Sequence, residues 1–128
     1  MKSEDAAQAY LAGAIENAPP IKIVRMLYQG ALRFLAQALE QDAEDTKSKF
    51  IELVNRVDAI VIELRCALDH DADPEVSAQL EQLYLFAESR LGVVLIERTK
   101  EPLLEVRQVL ETLLEAWNHV ELVSAQEQ

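Results

Sequence analysis

The chain has 128 residues and a net charge of −11; half of it is apolar, with only three Phe, three Tyr and one Trp. That is the length of one domain, with enough apolar material for a core that needs no metal or disulfide. The acidic field repels phosphate backbones and anionic lipid, which excludes nucleic acid and membrane surfaces as partners.

Taken in chain order, residues 1–18 read as a short, weakly helical N-terminal arm with Tyr10, Leu11 and Ile15 as anchors. They show no secretory signal, no stretch of the chain approaches a membrane span, and Cys66 is the lone cysteine. A cytoplasmic protein is expected. Pro19-Pro20 then opens a periodic segment containing Ile23, Val24, Leu27, Ala31, Phe34, Leu35 and Ala38. Proline is tolerated there because the first helical turn has no partner for its missing N–H. Gln41 to Thr46 is a polar run suited to a turn and an N-cap. The next helix carries the stripe Phe50, Leu53, Val54, Val57, Ile60, Val61, Leu64 and Leu68. Asp69 to Asp73 is a second turn, with Asp73-Pro74 as N-cap and first helical residue. Val76, Leu80, Leu83, Ala87, Leu91 and Val94 form the third stripe, and Thr99 to Pro102 the last break. Leu103, Val106, Leu110, Leu113, Trp117 and Val120 face inward on the final helix, and Ser124 to Gln128 should fray.

Connections this short force neighbouring helices antiparallel. The expected fold is therefore all-α: one domain over 1–128, with an up-down-up-down four-helix bundle over residues 20–123 behind the helical arm. A core-facing helix needs an apolar stripe of about three positions in seven, and these helices carry more. Ile51, Ile62 and Cys66 lie outside the second stripe; Leu85, Phe86, Val93 and Ile96 outside the third; Leu104 and Leu114 flank the fourth. Boundary packing and the arm account for part of the surplus. The remainder predicts a hydrophobic groove for an amphipathic helix or extended apolar segment. The alternative use is a self-associating structural bundle whose second stripes meet a copy of itself. The charge is uneven too: residues 17–41 carry +2, from Lys22, Arg25 and Arg33 against Glu40.

Catalysis and metal binding find no support. His70 sits in an acidic turn and His119 near the end of the last helix, neither with the basic neighbours a phosphoryl group needs. Glu115 and His119 are four apart, whereas carboxylate-bridged di-metal bundles use Glu-x-x-His on each of two helices. The cluster Asp69, Asp71, Asp73 and Glu75 lacks the central Gly and closing Glu of a calcium loop. Cys66 reads as a small apolar residue, buried or lining a groove. No cofactor is expected. Gly30 and Gly92 lie inside helices at a cost of about 1 kcal/mol each against Ala. Close helix packing is the first explanation, and room for an incoming ligand helix the second.

Ala9-Tyr10, Asn17-Ala18-Pro19-Pro20 and the block Met26-Leu27-Tyr28-Gln29-Gly30-Ala31-Leu32-Arg33-Phe34-Leu35 resemble the FliS family of flagellar secretion chaperones. Glu63-Leu64 with Leu68-Asp69, Leu83-Tyr84, Arg90-Leu91 and Trp117 extend the likeness over about residues 9–120. The chain departs from the family pattern at Pro19-Pro20-Ile21-Lys22, where Ser-Pro-Glu-Glu is usual, and at Gln29, where Asp is usual. The resemblance implies a bacterial cytosolic chaperone and not an enzyme; a monomer is expected when free. It would bind the disordered C-terminal segment of flagellin, prevent premature polymerisation and aid type III export. Other flagellar export or regulatory proteins are further candidate partners. By position Tyr10 becomes the movable cover of a client groove, for which Ile51, Ile62, Leu85, Phe86, Val93, Ile96, Leu104 and Leu114 are the lining candidates.

Overall fold

A computed structural model describes the backbone of residues 21–127 and the side chains of 21–119. Tyr10, the rest of the arm and the inward placement of Val120 lie outside these residues. Four helices follow one another: α1 Ile21–Glu40, α2 Phe50–Cys66, α3 Pro74–Glu97 and α4 Glu101–Glu127. Each packs against its two neighbours in a closed ring, with no close backbone approach across either diagonal among the described residues. This is the expected four-helix bundle, all-helical throughout the described residues.

The caps follow local chemistry. Asp73 is extended and its Oδ1 accepts the Val76 N–H at 3.2 Å, with Pro74 opening α3 as predicted. The 41–49 loop is tied by the Asp42 and Asp45 carboxylates, which accept the N–H groups of Glu44 and Lys47. It runs further than expected, and neither Asp caps α2. Gln41 Oε1 takes the Lys49 N–H and Ser48 Oγ the Phe50 N–H instead. Helix α2 ends at Cys66, so Leu68 packs on the core from a turn. Helix α3 ends on Arg98 with φ 53°, a left-handed conformation that costs a non-glycine residue about 1–2 kcal/mol. Helix α4 continues to Glu127, beyond the point where fraying was expected.

The last turn of α1 contains no basic residue, although its free carbonyls attract positive charge. The α3–α4 corner supplies it. Lys100 Nζ donates to the Leu39 carbonyl at 2.8 Å, and Arg98 reaches the Ala43 carbonyl.

Most of the predicted stripes form the core, with Leu35, Phe50, Val54, Val57, Val61, Leu80, Leu91, Leu103, Val106 and Leu110 fully buried. Ile60, Leu68 and Leu83 are half-buried at its edge. Among the core residues outside the predicted stripes are Tyr28 of α1 and Tyr84 of α3. They are buried and joined hydroxyl to hydroxyl across the bundle diagonal. Burial pushes the Tyr28 phenol up to about 12, against the opposing pull of hydrogen bonds from Tyr84 and Trp117.

A candidate partner-binding surface

Two cross-helix ion pairs fix the rotation of α3. Arg65 of α2 holds Glu88 through Nε and Nη2, a bidentate pair, so that side of α3 faces α2. Arg90 pairs with Glu105 of α4, so the opposite side faces α4. At 3.6 residues per turn, Leu85 and Ile96 fall on the shoulder toward α2. Phe86 and Val93 fall on the outward face, nearer α4. Ile96 is 85% exposed, Phe86 44% and Leu85 39%, while Val93 is half-buried. Gly92 lies between them, and a Cβ built on it would meet nothing within 4 Å. Close packing, the first explanation for this glycine, therefore does not apply.

On α2, half-buried Ile51 and exposed Ile62 share the side that carries Arg65 and Asp58. With Leu85 and Ile96 they lie along the boundary between α2 and α3. Asp58 belongs to the same strip, and its carboxyl is raised by burial and then by the Glu88 charge. Leu104 and Leu114 lie elsewhere. Glu105 marks the α3 side of α4, and the helical period puts both leucines on the flank toward α1. Leu104 is exposed, and Leu114 packs on the core edge. The candidate residues thus divide into Ile51, Ile62, Leu85 and Ile96 along the α2–α3 boundary, Phe86 and Val93 on the outward face of α3, and a separate α4 pair.

Two exposed apolar residues were not anticipated as surface: Ile23 at 50% and Met26 at 64%, both on α1. The antiparallel register explains Ile23. A Cβ on Gly30 would meet Ile60 Cδ1 at 3.6 Å, which places Ile23 opposite the end of α2 at Cys66. Its periodic position outruns the neighbour that would have covered it. Cys66 is exposed rather than buried, as its own position at that end requires. No cluster of His, Cys, Asp and Glu among the described residues could hold a metal ion. The Asp69–Asp73 turn uses its groups locally: Asp69 Oδ1 accepts the Asp71 N–H, and the buried Ser77 hydroxyl donates to the Asp69 carbonyl. No described helix is long and apolar enough to cross a membrane.

The described residues form a small four-helix bundle with a buried apolar core and several exposed apolar side chains. Residues 3–124 match the family described as Flagellar protein FliS. The flagellar secretion chaperone FliS of Campylobacter jejuni is 33% identical over 120 residues, covering 94% of each chain. The flagellar secretion chaperone FliS of Salmonella typhimurium is 28% identical over 117 residues, covering 89% of this chain and 85% of that one. The chain belongs to the FliS family of flagellar chaperones and is not an enzyme.

Proposed function

We propose that this chain is a cytosolic export chaperone that captures the disordered C-terminal segment of flagellin on the α2–α3 surface. The observation that carries the reading is the exposed apolar face of α3, Leu85 and Ile96 beside Ile62 with Phe86 on the outward side, on a bundle whose buried core is built without it. A disordered tail loses chain entropy when it orders. Apolar burial at about 25 cal/mol per Å² offsets that loss, so affinity depends on how much of the face the tail covers. Open space over Gly92 lets a backbone approach the face closely. Bound in this way, the tail is withheld from polymerisation until export. Leu104 and Leu114 extend the reading to a tail that wraps onto the α4 flank, and Tyr10 would be displaced when the client arrives.

Titration with a flagellin C-terminal peptide tests it. Phe86→Asp places a charge on the face and should weaken binding at least tenfold, about 1.4 kcal/mol or more. Its helical circular dichroism should be unchanged, since Phe86 is outside the core. Wild-type affinity in that variant would remove this face from the site.

A further inference from the structure

We propose that the α1–α2 face is a second docking surface, built for an acidic amphipathic helix of a partner protein. It stands apart from the flagellin reading, which uses the side of α2 that faces α3, the outer face of α3 and the α4 flank. Ile23, Met26, Gly30, Phe34 and Gln37 recur at helical spacing along α1, and two contacts turn this stripe toward α2. One is Gly30, whose Cβ would meet Ile60. The other is Phe34, whose ring lies 5.4 Å from the Arg56 guanidinium carbon. Half-exposed Ile23 and more exposed Met26 give the face an apolar end that nothing in the described chain covers.

Charge sets this face apart from the rest of the molecule. The whole chain carries −11, yet the cations Arg33, Arg56 and Lys49 gather beside the stripe at Phe34. Phe34 is bracketed by two guanidinium groups, Arg33 at 5.6 Å and Arg56 at 5.4 Å. Beyond them a cleft of about 320 Å³ opens, with Lys49, Arg56 and Phe34 in its walls. Two carboxylates, Glu40 and Glu52, share that wall. Glu52 pairs with Arg56 at 3.3 Å, but both side chains are more than half exposed. Such a pair is worth well under about 1 kcal/mol, so a partner carboxylate can replace Glu52 at little cost. The stripe from Ile23 to Gln37 runs about 21 Å. A ligand helix of matching length would set aliphatic residues on Ile23 and Met26 and carboxylates against Arg33, Arg56 and Lys49. The acidic field over the remaining surface disfavours extended polyanions and leaves a compact acidic helix as the occupant.

The test uses two synthetic peptides with the same leucine stripe, one flanked by Glu and the other by Lys, followed by fluorescence anisotropy against the full chain. The Glu peptide should bind saturably and weaken in high salt, and the Lys peptide should not bind. Met26→Glu, and separately Arg33→Glu with Arg56→Glu, should each lower affinity about tenfold, while Phe86→Asp leaves it unchanged. All these positions are surface ones, and Met26→Ser serves as the uncharged control with intact helicity. Equal binding of both peptides, indifference to the α1 variants or loss with Phe86→Asp would overturn the proposal. A concentration-dependent dimer abolished by Met26→Glu would also overturn it, because the face would then be a self-interface.

Discussion

Helices α1 and α3 stand on opposite corners of the ring, and each carries one interior glycine. At α1 the glycine is closed in by Ile60; at α3 it lies beneath open space. The outer surfaces differ in the same sense. Around Ile23 and Met26 the charged neighbours on α1 are Lys22, Arg25 and Arg33, whereas α3 holds its apolar row between Glu88 and Arg90, each already paired across a helix boundary. One sequence signal, a helical glycine in an apolar stretch, therefore has two physical meanings. Only the environment distinguishes a seam between helices from an open surface.

The largest expected effect probes what the two helices share. The raised Tyr28 phenol contributes stability that is complete below the unfolded value near 10 and is lost as pH rises toward the folded value of about 12. The loss amounts to about 3 kcal/mol at the upper limit, so denaturant midpoints should fall steeply over that window. A Tyr28→Phe variant should lack this fall. At neutral pH the same substitution removes the Tyr28–Tyr84 hydrogen bond from the core and should cost about 0.5–1.5 kcal/mol. The double variant with Tyr84→Phe should recover part of that loss in a thermodynamic cycle.

Next come the glycines themselves. The 3.6 Å approach at Gly30 is an ordinary contact with the flexible end of Ile60, so Gly30→Ala should stabilise the fold by about 0.5–1 kcal/mol. Gly92→Ala should gain a similar amount, by chemical denaturation. The two helices separate with a larger side chain: Gly92→Leu should fold normally and weaken the flagellin peptide, because it fills the space the tail would enter. Smallest of all, Asp58→Asn removes a carboxylate that burial and the Glu88 charge hold above its ordinary value. It should raise stability by less than about 1 kcal/mol at pH 7, since the site is mostly solvated.

Much of this architecture was legible in the chain. Asp73-Pro74 announced its cap, and the aliphatic stripes of α2, α3 and α4 marked their inner faces, because burial of leucine and valine leaves a period that needs no tertiary knowledge. Tyr28 and Tyr84 were illegible for the opposite reason. A phenol reads as a boundary residue until its partner is known, and that partner lies across the bundle. The candidate surface was legible in part. Phe86 and Ile96 show as surplus on any helical wheel, but the separation of Leu104 and Leu114 from them depends on how Arg90 meets Glu105. Ile23 misled because periodicity cannot register where a neighbouring helix stops.

The reach of Lys100 to the Leu39 carbonyl bears on how the chain matures on the ribosome. The first hairpin emerges with its carbonyl end still seeking a cation, and only after the third corner has been synthesised does one arrive. The late corner thus lends the first hairpin a contact worth about 1 kcal/mol, a modest coupling between the two halves of the chain.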